Sequence, residues 1–222
     1  MRLLVLDTSG DACSIGVATG EGMAVLRSAE VGRAHAERLM PMVAEAVAAS
    51  GLAFADLDRI AVTVGPGSFT GVRIGIAAAR GLALATGTQA VGIGTLAAHA
   101  EAARAIAGAV PVVVALAASR GEVVVQRFVA DGTAEGAPLA GPPDAFAALL
   151  DDGPVLAGSG ADALAGLRGD RRLRIVHRDR SPNISAVLRL AEGAPRASLP
   201  PKPIYLRAPD ARPQEGARVA RR

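Results

Sequence analysis

A glycine-rich segment near the middle of the first half has the residue types of a phosphate-binding turn. The run from Gly65 to Gly75 reads GPGSFTGVRIG and joins a strand-like stretch to an alanine-rich helical stretch. Gly65 or Gly67 can adopt the positive φ of a tight turn, and Ser68 or Thr70 can cap the helix that follows. Because a helix start presents backbone amides without partners, this turn could attract a phosphate.

The same segment lacks residues that nucleotide-binding loops normally require. It has no Gly-Lys-Ser/Thr ending, and Thr70 stands where the dinucleotide fingerprint has its third glycine.

Asp7 ends the first strand-like run and could contact a nucleotide together with Gly67 and Ser68. It could instead be a turn carboxylate that accepts a hydrogen bond from the amide of Ser9 or of the next residue. We therefore expect nucleotide binding at these residues to be weak.

The histidines and the cysteine do not form a pattern typical of catalysis or metal binding. Thr95 precedes His99 by four residues, so the His-x-x-x-His spacing that places two imidazoles on one helix face is incomplete. His177 has no partner evident in the sequence, and the single Cys13 excludes an internal disulfide. No Ser-His-Asp set can be assembled. The sequence predicts no catalytic residue, no metal and no cofactor.

The composition predicts a globular cytoplasmic protein. The 222 residues are 50% hydrophobic and 20% charged, and the formal net charge is +3. The apolar run over residues 3–6 stops at Asp7, which is too early for a secretion signal. The uncharged stretch over residues 81–98 is interrupted by glycines and polar residues, which disfavours a membrane helix. We expect no membrane contact.

Apolar runs and turn residues alternate along the chain in a way that predicts two related α/β halves. The first half has three short strands over residues 2–28, a helix over 33–49, a strand over 60–64, a helix over 70–86, a strand over 90–93 and a helix ending near 107. The second half has strands over 110–116 and 122–129, a Pro/Gly-rich loop over 136–143, a helix over 144–150, strands over 155–157 and 174–177, and a helix over 185–192. This order predicts an actin-like (ASKHA) α/β fold with two ribonuclease-H-like lobes. We expect the lobes to cover residues 1–108 and 109–207, the second being smaller and degenerate, and residues 208–222 to form a mobile basic tail.

Four motifs in this order resemble the bacterial TsaB family, also called YeaZ. They are Leu6-Asp7-Thr8-Ser9, the segment from His35 to Pro41, the glycine-rich segment, and Ile204-Tyr205-Leu206-Arg207. Members of this family belong to the machinery that places threonylcarbamoyl on the adenosine beside the anticodon of tRNA. The resemblance implies a non-catalytic scaffold that binds the catalytic subunit TsaD and, with it, the ATPase TsaE. Contact with tRNA would come through that complex.

One position departs from the pattern of the family. TsaB-like chains often show Asp-Ala-Arg-Arg-Gly-Glu at the turn where residues 117–122 here read Ala-Ala-Ser-Arg-Gly-Glu. Ala117 thus replaces a carboxylate that could orient a metal ion or water during phosphoryl transfer. The alternative function is an independent actin-like ATPase or small-molecule kinase. Both Ala117 and the incomplete histidine pair count against that alternative.

The resemblance also implies a docking face on the first two helices, forming half of a four-helix interface. Its expected residues are His35, Arg38, Leu39, Met42, Phe69, Thr70, Val72, Arg73, Ile76 and Arg80. They would meet TsaD or, in the isolated protein, a second copy of the chain. Small residues at positions 71, 75 and 79 and at 77, 81 and 85 allow close approach on two sides of the second helix, and we expect one stripe to pack on the protein's own sheet. We expect Ile76 to point outward.

Overall fold

The structure, a computed structural model, describes residues 1–169, 173–195 and 200–206 of the chain. Its strands are β1 (Leu3–Asp7), β2 (Ala12–Ala18), β3 (Ala24–Glu30), β4 (Arg59–Thr63), β5 (Gln89–Ile93), β6 (Val112–Ala117), β7 (Val123–Phe128), β8 (Ala134–Gly141), β9 (Val155–Ala157) and β10 (Ile175–His177). Its α-helices are α1 (His35–Ala49), α2 (Phe69–Thr86), α3 (Thr95–Ala107), α4 (Ala161–Ala165) and α5 (Ile184–Gly193). Arg207 of the fourth motif and the predicted tail over residues 208–222 lie outside the described residues.

The strands form two five-stranded sheets with the same topology. The first sheet has the order β3-β2-β1-β4-β5, and the second has the order β8-β7-β6-β9-β10. In each sheet three consecutive strands pair antiparallel, and two later strands add in parallel beside the first of the three. This repeated arrangement is that of a ribonuclease-H-like lobe, so the predicted two-lobed α/β architecture is confirmed.

The apolar patterning explains the central strands and helices. All five residues of β1 and of β4 are buried, as expected for strands covered on both faces. In α1, buried residues recur at helical spacing from His35 to Val47, with Pro41 inside the helix. Ser68 caps α2 by accepting a hydrogen bond from the amide of Gly71 at 3.2 Å. The helix ends at Gly87, whose φ of 70° is left-handed.

Three parts of the second lobe differ from the sequence-based expectation. The predicted helix over residues 144–150 is a 3-10 helix, Pro143–Leu150. The predicted loop over residues 136–143 is largely strand β8, which pairs antiparallel with β7. Its glycines and Pro138 obscured the strand pattern, and they are tolerated because β8 lies at the edge of its sheet. The short helix α4 was not predicted, because five residues give too little periodicity to recognise.

The helices cover both sheets, and the chain crosses between the lobes to do so. Helices α1 and α2 pack on one face of the first sheet. Helix α3 packs on the second sheet through Leu96 and Ala100. Helix α5 follows the second sheet along the chain but returns to the first, where Ile184 and Val187 pack against Leu3 and other residues of β1, β4 and β5. The proposed division between residues 108 and 109 therefore separates the two sheets in sequence. It does not separate the helices in the same way, because α3 packs on the second sheet and α5 on the first.

Candidate functional site

The glycine-rich segment brings the start of α2 directly onto the end of β1. A Cβ added at Gly67 would overlap the carbonyl oxygen of Ser9, and one added at Gly71 would overlap that of Thr8. A Cβ added at Gly75 would lie 2.5 Å from Thr8 Oγ1. Thr8 Oγ1 donates to the carbonyl oxygen of Gly71 at 2.7 Å. The glycines are therefore required for close approach of two backbones, as much as for the turn itself. Of the two turn glycines, Gly65 has a positive φ, of 98°.

Asp7 is held inside the protein by hydrogen bonds from its neighbours. Its Oδ1 accepts from Ser9 N at 3.1 Å, from Ser9 Oγ at 2.6 Å and from Thr63 Oγ1 at 2.6 Å. Burial raises the pKa of the Asp7 carboxyl, although the hydrogen bonds from Ser9 and Thr63 act in the opposite direction. The side chain is fully buried and does not line the cleft between the lobes. Asp7 thus fits the turn-carboxylate interpretation rather than a nucleotide contact.

A cleft of about 800 Å³ lies between the two lobes, beside the glycine-rich segment. Gly67 and Ser68 line it on the first lobe, as the weak nucleotide site requires, and Ala117 lines it on the second. The amide of Ala117 donates to Ser159 Oγ at 3.0 Å. The acidic residue among the described lining residues is Asp11, which forms an ion pair with Arg180 at 3.5 Å. Among the described lining residues the cleft therefore offers hydroxyls and amides, and its one carboxylate is engaged by Arg180 rather than arranged with others for Mg²⁺.

His99 gains a neighbour that the sequence did not reveal. The ring of His177 in β10 stacks on the ring of His99 in α3, with centroids 5.2 Å apart. Among the described residues, neither the nitrogens of the buried His99 ring nor the hydroxyl of Thr95 have a hydrogen-bond partner of good geometry, although the backbone of Arg180 lies close enough to His99 to oppose the lowering of its pKa. Burial, with His177 nearby, lowers the pKa of His99 to about 3. No group of three His, Cys, Asp or Glu side chains suited to a metal ion occurs in residues 1–169, 173–195 and 200–206.

Five of the ten residues expected on the docking face are buried, so the expectation that this set forms one exposed face was wrong. His35, Leu39, Met42, Val72 and Ile76 are buried within the first lobe. They belong, His35 apart, to the apolar core between α1, α2 and the sheet, because the i, i+3 and i+4 positions that cover the sheet are the apolar ones. In particular, Ile76 points inward.

The other expected interface residues are exposed. Those that lie on α2 define the surface that we call the outer face of α2. Arg38 on α1 and Phe69, Thr70, Arg73 and Arg80 on α2 are accessible to solvent. The small stripe at 71, 75 and 79 is buried, with Gly71 and Gly75 close to Thr8 just after β1, whereas the stripe at 77, 81 and 85 is exposed. Leu84, which the sequence-based prediction missed, is 87% exposed on this outer face. Its apolar character in an otherwise apolar helix gave no signal of its orientation.

An aromatic and arginine cluster lies at the start of this outer face, beside the mouth of the cleft. The guanidinium of Arg73 stacks over the Phe69 ring, 3.6 Å from the ring centroid. Arg73 Nε donates to the hydroxyl of Tyr205 at 2.6 Å, and the rings of Phe69 and Tyr205 lie 5.5 Å apart. Ile204 N donates to the carbonyl oxygen of Val64 at 2.8 Å, which fixes the segment carrying Tyr205.

The repeated lobes and the cleft between them define a protein of the actin-like, ribonuclease-H-like class. A family model described as "TsaD: tRNA N6-adenosine threonylcarbamoyltransferase" matches residues 28–156. The chain is 32% identical in sequence to a solved structure described as "YeaZ from Pseudomonas aeruginosa", with a TM-score of 0.76, and the match covers 92% of this chain and 99% of that one. The chain belongs to the TsaB (YeaZ) family.

Two curated relatives named "tRNA threonylcarbamoyladenosine biosynthesis protein TsaB" match a shorter region. The relative from Escherichia coli is 38% identical over 131 residues, which is 59% of this chain and 56% of that protein. The relative from Haemophilus influenzae is 40% identical over 130 residues, which is 58% of this chain and 54% of that protein. The chain thus spans about half the length of these curated relatives.

The lengths and composition of the helices bear on membrane insertion. Within the described ranges, none of them is long and apolar enough to cross a membrane. The longest, α2, has 18 residues, but it is interrupted by two arginines.

Proposed function

We propose that this protein takes part in threonylcarbamoyladenosine formation on tRNA as a scaffold subunit that binds TsaD. The observation that carries the proposal is the outer face of α2, which exposes apolar and basic groups beside a lobe typical of the TsaB family. Leu84 is 87% exposed, and Ala77 and Gly81 next to it have side chains too small to hold a partner helix away. An exposed leucine on a narrow small-residue track suits helix packing at short distance.

The likeness of the first lobe to TsaD supports a paired-helix mode of binding. The matched family model is that of TsaD, and it includes residues 28–156, hence α1 and α2. A partner built on the same lobe would present a corresponding pair of helices. Two such pairs can pack as a four-helix interface, in which each buries the outer stripe of the other. The same geometry would permit a second copy of this chain to occupy the face when TsaD is absent.

The proposal leaves the chemistry to TsaD. In this chain Ala117 stands where a carboxylate would orient metal or water, and Asp7 is enclosed by Ser9 and Thr63. Those observations favour a subunit without catalytic groups over an independent ATPase or kinase. TsaE would join the assembly through TsaD, and tRNA would be met through the complex in the cytoplasm.

The proposal can be tested with a charge placed on the outer face. Leu84→Glu introduces a charge that a helix interface would have to desolvate without a partner, so TsaD binding should weaken at least tenfold. Because Leu84 is exposed, the variant should unfold at nearly the wild-type temperature. Binding is measured by calorimetry with TsaD from the same organism, and threonylcarbamoyladenosine is quantified by nucleoside analysis of tRNA from cells that carry the variant.

A matched control separates the interface from general surface effects. Leu139→Glu changes another exposed leucine, on the edge strand β8 of the second lobe, and should leave TsaD binding unchanged. If wild-type protein binds no TsaD and its loss leaves modified tRNA at normal levels, the scaffold function is rejected. If Leu84→Glu and Leu139→Glu bind TsaD equally, the docking face lies elsewhere.

A further inference from the structure

The cluster of Phe69, Arg73 and Tyr205 is unusual in a chain with few aromatic residues. The sequence holds four phenylalanines, one tyrosine and no tryptophan. Two of these five rings meet here and remain 48% and 47% exposed. Exposed aromatic rings that surround an arginine are the residue combination enriched at the energetic centres of protein interfaces.

The cluster fixes the orientation of the Arg73 guanidinium before any partner binds. Stacking over Phe69 restrains the plane of the group, and the hydrogen bond from Nε to the Tyr205 hydroxyl restrains its rotation. Nε is the only Arg73 nitrogen with a hydrogen bond among the described residues, so both terminal nitrogens are available. A guanidinium held in this way can bind a carboxylate with two parallel hydrogen bonds at little cost in side-chain entropy.

Within the described ranges Arg73 has no acidic partner, unlike several other arginines. Arg2 pairs with Asp58, Arg127 with Asp152, and Arg189 with Glu101. No carboxylate in the described ranges lies within ion-pair distance of Arg73 or Arg80, and the sequence of α2 contains no acidic residue. The outer face of α2 is therefore basic and complementary to an acidic surface.

We infer that Arg73 is the specificity-determining residue of this face and receives an aspartate or glutamate of the protein partner. Phe69 and Tyr205 are positioning residues that hold the guanidinium for this contact. The inference rests on the proposed function, since it specifies which partner chemistry the outer face of α2 selects. In a second copy of this chain, α2 itself supplies no acidic residue to pair with Arg73.

The test uses the full chain and TsaD from the same organism in titration calorimetry. Arg73→Ala should weaken binding about 10- to 100-fold, and Arg73→Lys should weaken it nearly as much, because lysine cannot form the two parallel bonds. Tyr205→Phe removes only the restraining hydroxyl and should weaken binding by a smaller factor, about 3- to 10-fold. Arg27→Ala, which alters an exposed arginine of β3 in the same lobe, is the matched control and should have no effect.

The salt dependence of binding gives a readout that a merely structural role would not change. Wild-type affinity should fall as ionic strength rises, and Arg73→Ala should reduce that dependence. Unaltered circular dichroism and melting temperature would show that the variants fold.

Three results would overturn the inference while wild-type protein still binds TsaD. They are equal affinity of wild type and Arg73→Ala for TsaD, wild-type affinity of Arg73→Lys for TsaD, and an unchanged salt dependence of binding in Arg73→Ala. Failure of the wild-type protein to bind TsaD would instead reject the proposed function.

Discussion

At the scale of single residues, Asp7 shows how a carboxylate at a phosphate-loop position can serve the fold. Its Oδ1 joins the end of β1 to the end of β4 through Thr63, and its Oδ2 has no hydrogen-bond partner in the described structure. The sequence allowed either a turn role or a weak nucleotide contact for Asp7. The hydrogen bond from the Ser9 amide supports the turn role, and the structure adds the bond from Thr63, 56 residues away in sequence.

Replacing Asp7 tests the cost of its buried charge. A carboxyl with a raised pKa stabilises the folded state fully below its unfolded pKa and loses that contribution as pH rises through its folded pKa. The stability of wild type relative to Asp7→Asn should therefore increase as pH falls from 7 to 4 in thermal melts. Asp7→Ala leaves Ser9 and Thr63 without their acceptor, so it should be less stable than Asp7→Asn by about 1–3 kcal/mol at any pH in this range. A pH-independent difference between wild type and Asp7→Asn would contradict the burial argument.

His99 should make the fold sensitive to acid. Its pKa is lowered to about 3 from an ordinary value of 6.5, so the neutral ring stabilises the folded state above pH 6.5 and this contribution is lost as pH falls towards 3. Each pH unit in that window can cost up to about 1.4 kcal/mol of unfolding free energy. Denaturant unfolding at pH 7 and pH 5 should show a smaller decrease for His99→Leu than for wild type. The same decrease in both proteins would assign the acid sensitivity to other groups.

At the scale of elements, α2 carries two small-residue stripes that sequence alone treats as equivalent. The stripe with Gly75 packs on Thr8, and a Cβ there would also lie 3.2 Å from Val62. A Cβ at Gly81 would meet nothing within 4 Å. One helix therefore provides a matched pair of glycines, one that the core requires and one that faces outward.

The same substitution at these two glycines should have opposite effects on stability. Gly75→Ala should destabilise the protein by roughly 1–3 kcal/mol, because the new methyl group overpacks the contact with β1. Gly81→Ala should stabilise it by roughly 0.5–1 kcal/mol, because alanine restricts the unfolded chain and is strain-free in a helix. Chemical denaturation measures both. Destabilisation by Gly81→Ala would show that this part of α2 is packed in the isolated protein.

Ile76 follows the same logic with a larger penalty. Its side chain is buried in the core that α2 shares with α1 and the sheet. Ile76→Glu should therefore prevent folding or lower the melting temperature strongly, since an unpaired charge would enter that core. Circular dichroism of the purified variant checks this result. If Ile76→Glu were folded and had lost only its binding to TsaD, the result would support the sequence-based expectation that Ile76 points outward.

At the scale of the whole molecule, the C-terminal part of the chain completes the N-terminal lobe. Arg59 in β4 is buried and donates to the carbonyl oxygens of Ala191 and Ala194 at the end of α5, at 2.9 and 2.7 Å. Ile184 and Val187 cover the face of the first sheet opposite α1 and α2. Removing α5 would expose that apolar face and leave the Arg59 guanidinium without these acceptors.

A fragment that ends at residue 108 should therefore not fold by itself. We expect it to aggregate or to unfold without a cooperative transition, whereas the full chain should show one. Thermal melts followed by circular dichroism, together with size-exclusion chromatography, make the comparison. A peptide covering residues 182–195, added in trans, should increase the order of the fragment. Cooperative unfolding of the fragment alone would show that the first lobe is an independent domain.

The sequence by itself determined the class of the fold and the family. Apolar runs of the correct length and the turn residues between them gave most strands and helices, because local burial and backbone preferences act over a few residues. The motifs from Asp7 to Tyr205 identified the family through their order along the chain. The glycine-rich segment was recognised as a close-approach or turn element, although its partner on β1 was not.

Only the tertiary structure decided which surfaces face solvent and which distant residues meet. Ile76 and Leu84 are both apolar residues of α2, and only the position of the sheet makes one buried and the other exposed. The contact of Arg73 with Tyr205 joins residues 132 positions apart, and that of Arg59 with α5 is similarly distant. The periodicity of a helix indicates that it has an apolar side. Where one helix carries several apolar or small-residue stripes, the packing of the whole chain decides which stripe faces the core.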